Sequence, residues 1–127
     1  MAKSAEEYRR HNKEIGKLGE ELAAEFLKKK GFVILERNFK VPLGEIDIVA
    51  RDGDVLVFCE VKTREDEFFG PPECAVTTGK QKKIRKTAAA YFHMHGIEEQ
   101  ECRFDVVAIY LGNGTPEITL FPNAFYF

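Results

Sequence analysis

The apolar positions of this chain change period several times, and each change marks an element. Over residues 12–30, Ile15, Leu18, Leu22 and Phe26 recur at intervals of three and four, the stripe of an amphipathic helix. Lys28, Lys29 and Lys30 suit the negative end of the helix dipole, and Gly31 ends the run. Glu20 falls off this stripe, on a flank with Gly16, Ala23 and Leu27, so it is predicted to point toward a sheet; Glu21 and Glu25 lie on the polar side. Residues 32–37 are rich in strand formers, and Pro42-Leu43-Gly44 is a break. Two apolar-rich segments, residues 45–50 and 55–62, then flank Asp52-Gly53, a strong hairpin signal. Residues 63–79 are irregular, and their position directly after Lys62 suits either a substrate-facing loop or a surface excursion. Residues 80–95 restore a helical period through Ile84, Ala88, Tyr91, Phe92 and His95, and Gly96 stops it. Strands over residues 103–111 and 117–121 surround the turn Gly112-Asn113-Gly114. The order α-β-β-β-α-β-β predicts an α/β domain with a mixed sheet covered by helices.

The hairpin carries the chemistry. A turn centred on Asp52-Gly53 would set Arg51 opposite Asp54 and Asp47 opposite Phe58. The pleat period of two puts Glu45, Asp47 and Val49 on one face, and Phe58, Glu60 and Lys62 on the face paired with it. Asp47 would then lie diagonally beside Glu60, close enough to share a small cation. A slip of one residue would separate them. Carboxylates on a buried face are costly unless paired or bound to metal. The same spacing also suits the solvated side of an edge hairpin, and alternation alone leaves both readings open.

Composition narrows the class. A chain of 127 residues with 44% hydrophobic positions is the size of one domain with a real core. Residues 1–12 are polar and read as an extension, leaving residues 13–127 as the domain. No apolar run approaches the roughly 18 residues of a membrane span, and no apolar leader opens the chain, so the expected location is cytoplasmic, without membrane contact. Cys59, Cys74 and Cys102 form no Cys-x-x-Cys pair, and Cys59 alternates with Val55, Val57 and Val61 as a small core residue.

A formal net charge of −2 argues against binding nucleic acid by bulk charge. The distribution is less even, since residues 80–86 hold five cations in seven positions. That run is either a solvated helix face or a contact for phosphates. Lys80, which opens the helix, is the leading candidate contact, with Lys82, Lys83 and Lys86 beside it and Arg64 at the preceding strand end. His93 and His95, two apart on a helix, do not form a zinc pair. Asp105 beside Arg103 reads as a structural ion pair, and the aromatic tail from Phe121 either folds onto the domain or meets a second copy.

Four stretches taken together carry a family resemblance. They are Gly16-Lys17-Leu18-Gly19-Glu20, Gly44-Glu45-Ile46-Asp47-Ile48-Val49-Ala50, Glu60-Val61-Lys62-Thr63-Arg64 and Arg103-Phe104-Asp105-Val106-Val107. In order and spacing the chain resembles the PD-(D/E)XK nuclease superfamily and, more closely, the YraN-like bacterial family related to Holliday junction resolvases. The resemblance implies a restriction-endonuclease-like fold and a Mg²⁺ or Mn²⁺ site for hydrolysing phosphodiester bonds in DNA, with branched or repair intermediates as candidate substrates. On that resemblance Asp47, Glu60 and the Val61 backbone carbonyl are metal ligands. Lys62 orients the attacking water and helps deprotonate it, and Glu20 completes the acidic cluster directly or through water. Ile46 stands where the superfamily's eponymous proline would be. The alternative is a nuclease-like module that binds nucleic acid without cutting, and the dimeric resolvases leave a homodimer open.

Overall fold

A computed structural model describes residues 4–65, 76–112 and 114–125, and they follow the predicted order of elements. The elements are α1 (Ala5–Lys29), β1 (Val33–Val41), β2 (Gly44–Asp52), β3 (Val55–Arg64), α2 (Thr78–Met94), β4 (Cys102–Tyr110) and β5 (Glu117–Phe125). The irregular stretch at 66–75, Cys74 and the last two residues of the aromatic tail lie outside the described residues.

Helix α1 begins well before the apolar stripe. Ser4 caps it by accepting from the Glu7 N–H at 3.1 Å, and Glu6 and Glu7 sit in the first turn where the dipole favours acids. Much of the polar stretch expected to stand apart is therefore helical. The buried face also differs from the stripe. Gly19, Ala23, Ala24 and Leu27 are buried, whereas Leu18 is 46% exposed and Leu22 and Phe26 only flank the core. Small residues face the sheet because the helix lies very close to it: a Cβ on Gly19 would run into the Thr63 hydroxyl on β3.

The five strands form one sheet in chain order. Only β3 and β4 pair in parallel, joined by the crossover through α2; the other neighbours are antiparallel. Strand β3 is central and apolar on both faces. Leu56 and Phe58 join Ile84, Ala88 and Tyr91 in the core under α2, while Val57 and Cys59 join Ala23, Ala24 and Leu27 under α1. Cys59 is the core residue its alternation predicts. Strand β5 runs beyond the expected residue 121. Phe125 stacks on Phe104 with ring centroids 4.9 Å apart, so the described part of the aromatic tail folds onto its own domain. Pro122 is accommodated because β5 is an edge strand.

The hairpin turn sits one position later than predicted. Asp52 pairs with Val55 and Ile48 with Cys59, so the loop is Gly53-Asp54. Gly53 takes φ 59°, the positive value that a two-residue turn with glycine in first position needs. The resulting shift in pairing is two residues, which preserves the faces. Asp47 now lies across from Glu60, just past the last ladder pair, rather than diagonal to it.

Candidate metal centre at a fork in the sheet

The β2–β3 ladder stops at Ile48↔Cys59, and the two strands part there. Backbone alternation changes at the same place. Ile46 belongs to the core under α2 and Ile48 to the core under α1, although strict alternation would put them together. The neighbouring strand bends with it. Asn38, opposite Asp47 between the pairs Arg37↔Ile48 and Phe39↔Ile46, has φ 54°. That value is uncommon for a residue other than glycine.

The fork leaves the Val61 N–H without a strand partner on its β2 side, and the Asp47 carboxylate accepts from it at 2.8 Å. Two clefts open at the fork. One of about 540 Å³ lies on the α1 side and includes Glu20, Lys62, Thr63 and Arg64 in its walls; the other, of about 330 Å³, lies on the α2 side with Glu45, Glu60, Lys80 and Lys83. Asp47 and Val61 line both.

Glu20 from α1 and Glu45 and Asp47 from β2 converge, with one carboxylate oxygen of each within 4.8 Å of the others. With its nitrogen assigned to the side facing the acids, the only orientation that offers them a donor, the Asn38 amide donates at 2.8 and 3.2 Å to the two Glu20 oxygens and at 3.2 Å to Glu45 Oε1. Burial pushes the Asp47 carboxyl up to about 7, reinforced by the nearby Glu60 charge and only partly offset by the Val61 N–H. Burial also raises Glu20, with Asp47 and Glu45 adding to it. A convergent all-oxygen donor set suits a hard divalent cation.

Glu60 sits on the other side of Asp47. It is 4% exposed, and Lys80 Nζ from α2 lies 2.9 Å from its Oε2. The Lys62 and Lys80 amines also lie close to each other. Burial, then Lys80, depresses the Lys62 ammonium to about 8. Burial would lower Lys80 as well, but the Lys62 contact and the Glu60 charge outweigh it and raise it.

The structure thus brings Glu20, Asp47, Glu60, Val61, Lys62 and Lys80 to one fork. Arg64 lines the mouth of the larger cleft. Lys82, Lys83 and Lys86 are exposed on α2, and of these only Lys83 reaches a cleft wall. Two residues were not singled out from the sequence. Glu45 shares a face with Asp47 by alternation, which was a usable signal. Asn38 has only its residue type as a signal, since Asn tolerates positive φ better than most. His93 and His95 are exposed and take no part. Asp105 forms the expected ion pair, with both oxygens 3.1 Å from Arg103 Nε.

Fold and site together define an α/β protein of two helices and a five-stranded mixed sheet, with an acidic cluster able to hold a metal ion. The chain belongs to the uncharacterised protein family UPF0102, whose model matches residues 19–109. It is 52% identical over 101 residues to a UPF0102 protein of Dictyoglomus thermophilum, covering 80% of this chain and 86% of that one. UPF0102 proteins of Geobacter metallireducens (47% identical; 91% and 94% covered) and Clostridium botulinum strain Loch Maree (46%; 90% and 95%) match over nearly the whole length. No helix among the described residues is long and apolar enough to cross a membrane.

Proposed function

We propose that this protein is a divalent-metal-dependent endonuclease that hydrolyses phosphodiester bonds in DNA, built on the PD-(D/E)XK design. One observation carries the reading. Asp47 stands at a fork where Glu20, Glu45 and Glu60 approach it from three elements, and Lys62 lines the same cleft. In this reading Asp47, Glu60 and the Val61 carbonyl hold Mg²⁺ or Mn²⁺, and Glu20 and Glu45 complete the acidic shell. The ion, when bound, lowers the pKa of water and neutralises charge on the phosphoryl group. Lys62 faces the reacting phosphate, orients the attacking water and takes its proton. Arg64 at the cleft mouth and Lys83 on α2 bind flanking phosphates, and Lys82 and Lys86 extend that contact. The open cleft suits a strand that can leave its partner, which favours branched or frayed DNA over uniform duplex.

The exposed Lys82 and Lys86 favour a second reading, a module that grips nucleic acid without cutting it. The experiment is cleavage of single-stranded, duplex, flapped and four-way-junction DNA, and of RNA, with Mg²⁺ or Mn²⁺ and with EDTA and Lys62→Ala controls. Metal-dependent cutting that disappears in Lys62→Ala supports the nuclease. Salt-sensitive binding without cutting of any substrate replaces it with the module.

A further inference from the structure

Asn38 occupies an unusual place. It sits in β1 directly opposite Asp47, with φ 54°, at the kink where alternation in β2 breaks. Its amide spans two carboxylates from different elements, Glu20 of α1 and Glu45 of β2. These two acids have no strong reason to meet. Like charges repel, and Arg37 and Lys40 act on Glu20 only as weaker opposing charges. An exposed asparagine in a strand has easier backbone conformations available, and positive φ costs it free energy. The conformation persists only where the surrounding structure fixes it, and here it coincides with an amide set between two carboxylates.

We propose that Asn38 is the positioning residue of the acidic cluster. Its left-handed backbone aims the amide between Glu20 and Glu45, so one neutral donor holds both carboxylates turned toward Asp47. This rests on the metal-site reading of the fork and adds to it a residue that need not touch the ion. Outer partners that fix the orientation of ligating carboxylates are typically worth about 10- to 100-fold in metal affinity. The backbone and the amide are separable by mutation. Asn38→Gly keeps the positive φ without strain and removes the amide, whereas Asn38→Ala removes the amide and adds the strain.

The test is Mn²⁺ binding by calorimetry, paired with thermal unfolding in EDTA, on the full chain and both variants. Both variants are expected to bind Mn²⁺ at least about 10-fold more weakly than the parent. In EDTA, Asn38→Gly should unfold within a degree or two of the parent, and Asn38→Ala about 5 °C lower. Parent-like Mn²⁺ affinity in Asn38→Gly overturns the proposal. So does a loss of stability in Asn38→Gly as large as in Asn38→Ala, which would make the residue structural only. A parent chain that binds no Mn²⁺ overturns both this assignment and the metal-site reading. Weakened Mn²⁺ binding in Asn38→Gly, in a parent that cuts no substrate, upholds Asn38 and removes only the nuclease.

Discussion

Two aspartates sit in neighbouring regions of one sheet and are treated in opposite ways. Asp105 in β4 is fully buried, yet Arg103 Nε reaches both of its oxygens and the Asn123 N–H donates to one at 3.1 Å. Arg103 also reaches Asp52 at 2.9 Å, tying β4 to the hairpin. Burial raises the Asp105 carboxyl, and both donors work against that rise. Asp47 receives one backbone N–H and is approached by Glu20, Glu45 and Glu60, with the Lys80 ammonium only a weaker opposing charge. Even the backbones correspond, since Asn123 opposite the β4 irregularity and Asn38 opposite Asp47 both have φ 54°. At β4 the kink delivers a donor to the acid and closes the account; at the fork it gathers more acids. A buried carboxylate supplied with donors helps hold a fold together, whereas one gathered with further carboxylates could hold a cation.

Five substitutions would break or sharpen that contrast. The largest effect is expected at the fork, on activity alone. Asp47→Ala and Lys62→Ala should each lower cleavage by about 10³-fold or more while circular dichroism and the melting temperature show an intact fold. Retained cleavage in either variant removes that residue from the mechanism.

Next is Asp105→Ala, which leaves the Asn123 N–H and the Nε of Arg103 without their acceptor while Asp52 keeps its hold on the guanidinium, and should destabilise by about 2–4 kcal/mol. Urea titration would measure it, and a change under about 1 kcal/mol would end the idea that Asp105 is the structural member of the pair.

Third is Asp47→Asn, which should stabilise. An unfolded aspartate titrates near 4, whereas Asp47 in the fold titrates at about 7. Between those values the native state keeps a proton that the unfolded chain releases, so this contribution to stability falls as pH rises. Asparagine cannot ionise and can still accept from Val61. In EDTA at pH 8 the variant should gain on the order of 1–2 kcal/mol, or about 5–10 °C, and at pH 4 almost nothing. An equal gain at both pH values would mean that charge is not the cause.

The smallest effect is Lys82→Ala, a surface change. It should weaken binding to every nucleic-acid substrate by a few-fold and reduce the slope of log affinity against log salt by about one. Unchanged affinity and slope would return the α2 lysines to the status of a solvated face.

Element order was readable because hydrophobic period is local, and so was most of the apolar face of α2, through Ile84, Ala88, Tyr91 and Phe92; His95, expected on that face, is exposed, and the buried Thr87 has no apolar signature. The hairpin frame was not. Asp52-Gly53-Asp54 offers glycine as either the second or the first turn residue, and only the packed sheet selects one. The site survived this error because the two frames differ by an even number of pairing positions. The stripe on α1 misled because it weighed size, whereas the sheet selected small residues for close approach. The Glu60–Lys80 pair was not legible either. The local sequence suggests a phosphate contact at Lys80, and nothing local reveals that α2 lays its first turn over the fork, beside Glu60. Asn38 depends on a backbone angle and a partner in another strand, neither of which is written in its neighbours.

Gly19 and Gly44 each come immediately before an acid of the cluster, and each is covered by a threonine hydroxyl. A Cβ on Gly19 would strike Thr63, and one on Gly44 would come within 2.7 Å of Thr87 Oγ1. These two contacts set the thickness of the sandwich on either side of the fork, with a tolerance smaller than a methyl group. Alanine at either position would meet a threonine hydroxyl and force that side chain or its element to give, one residue from a carboxylate of the cluster, so the site can be disturbed without altering any residue that carries charge.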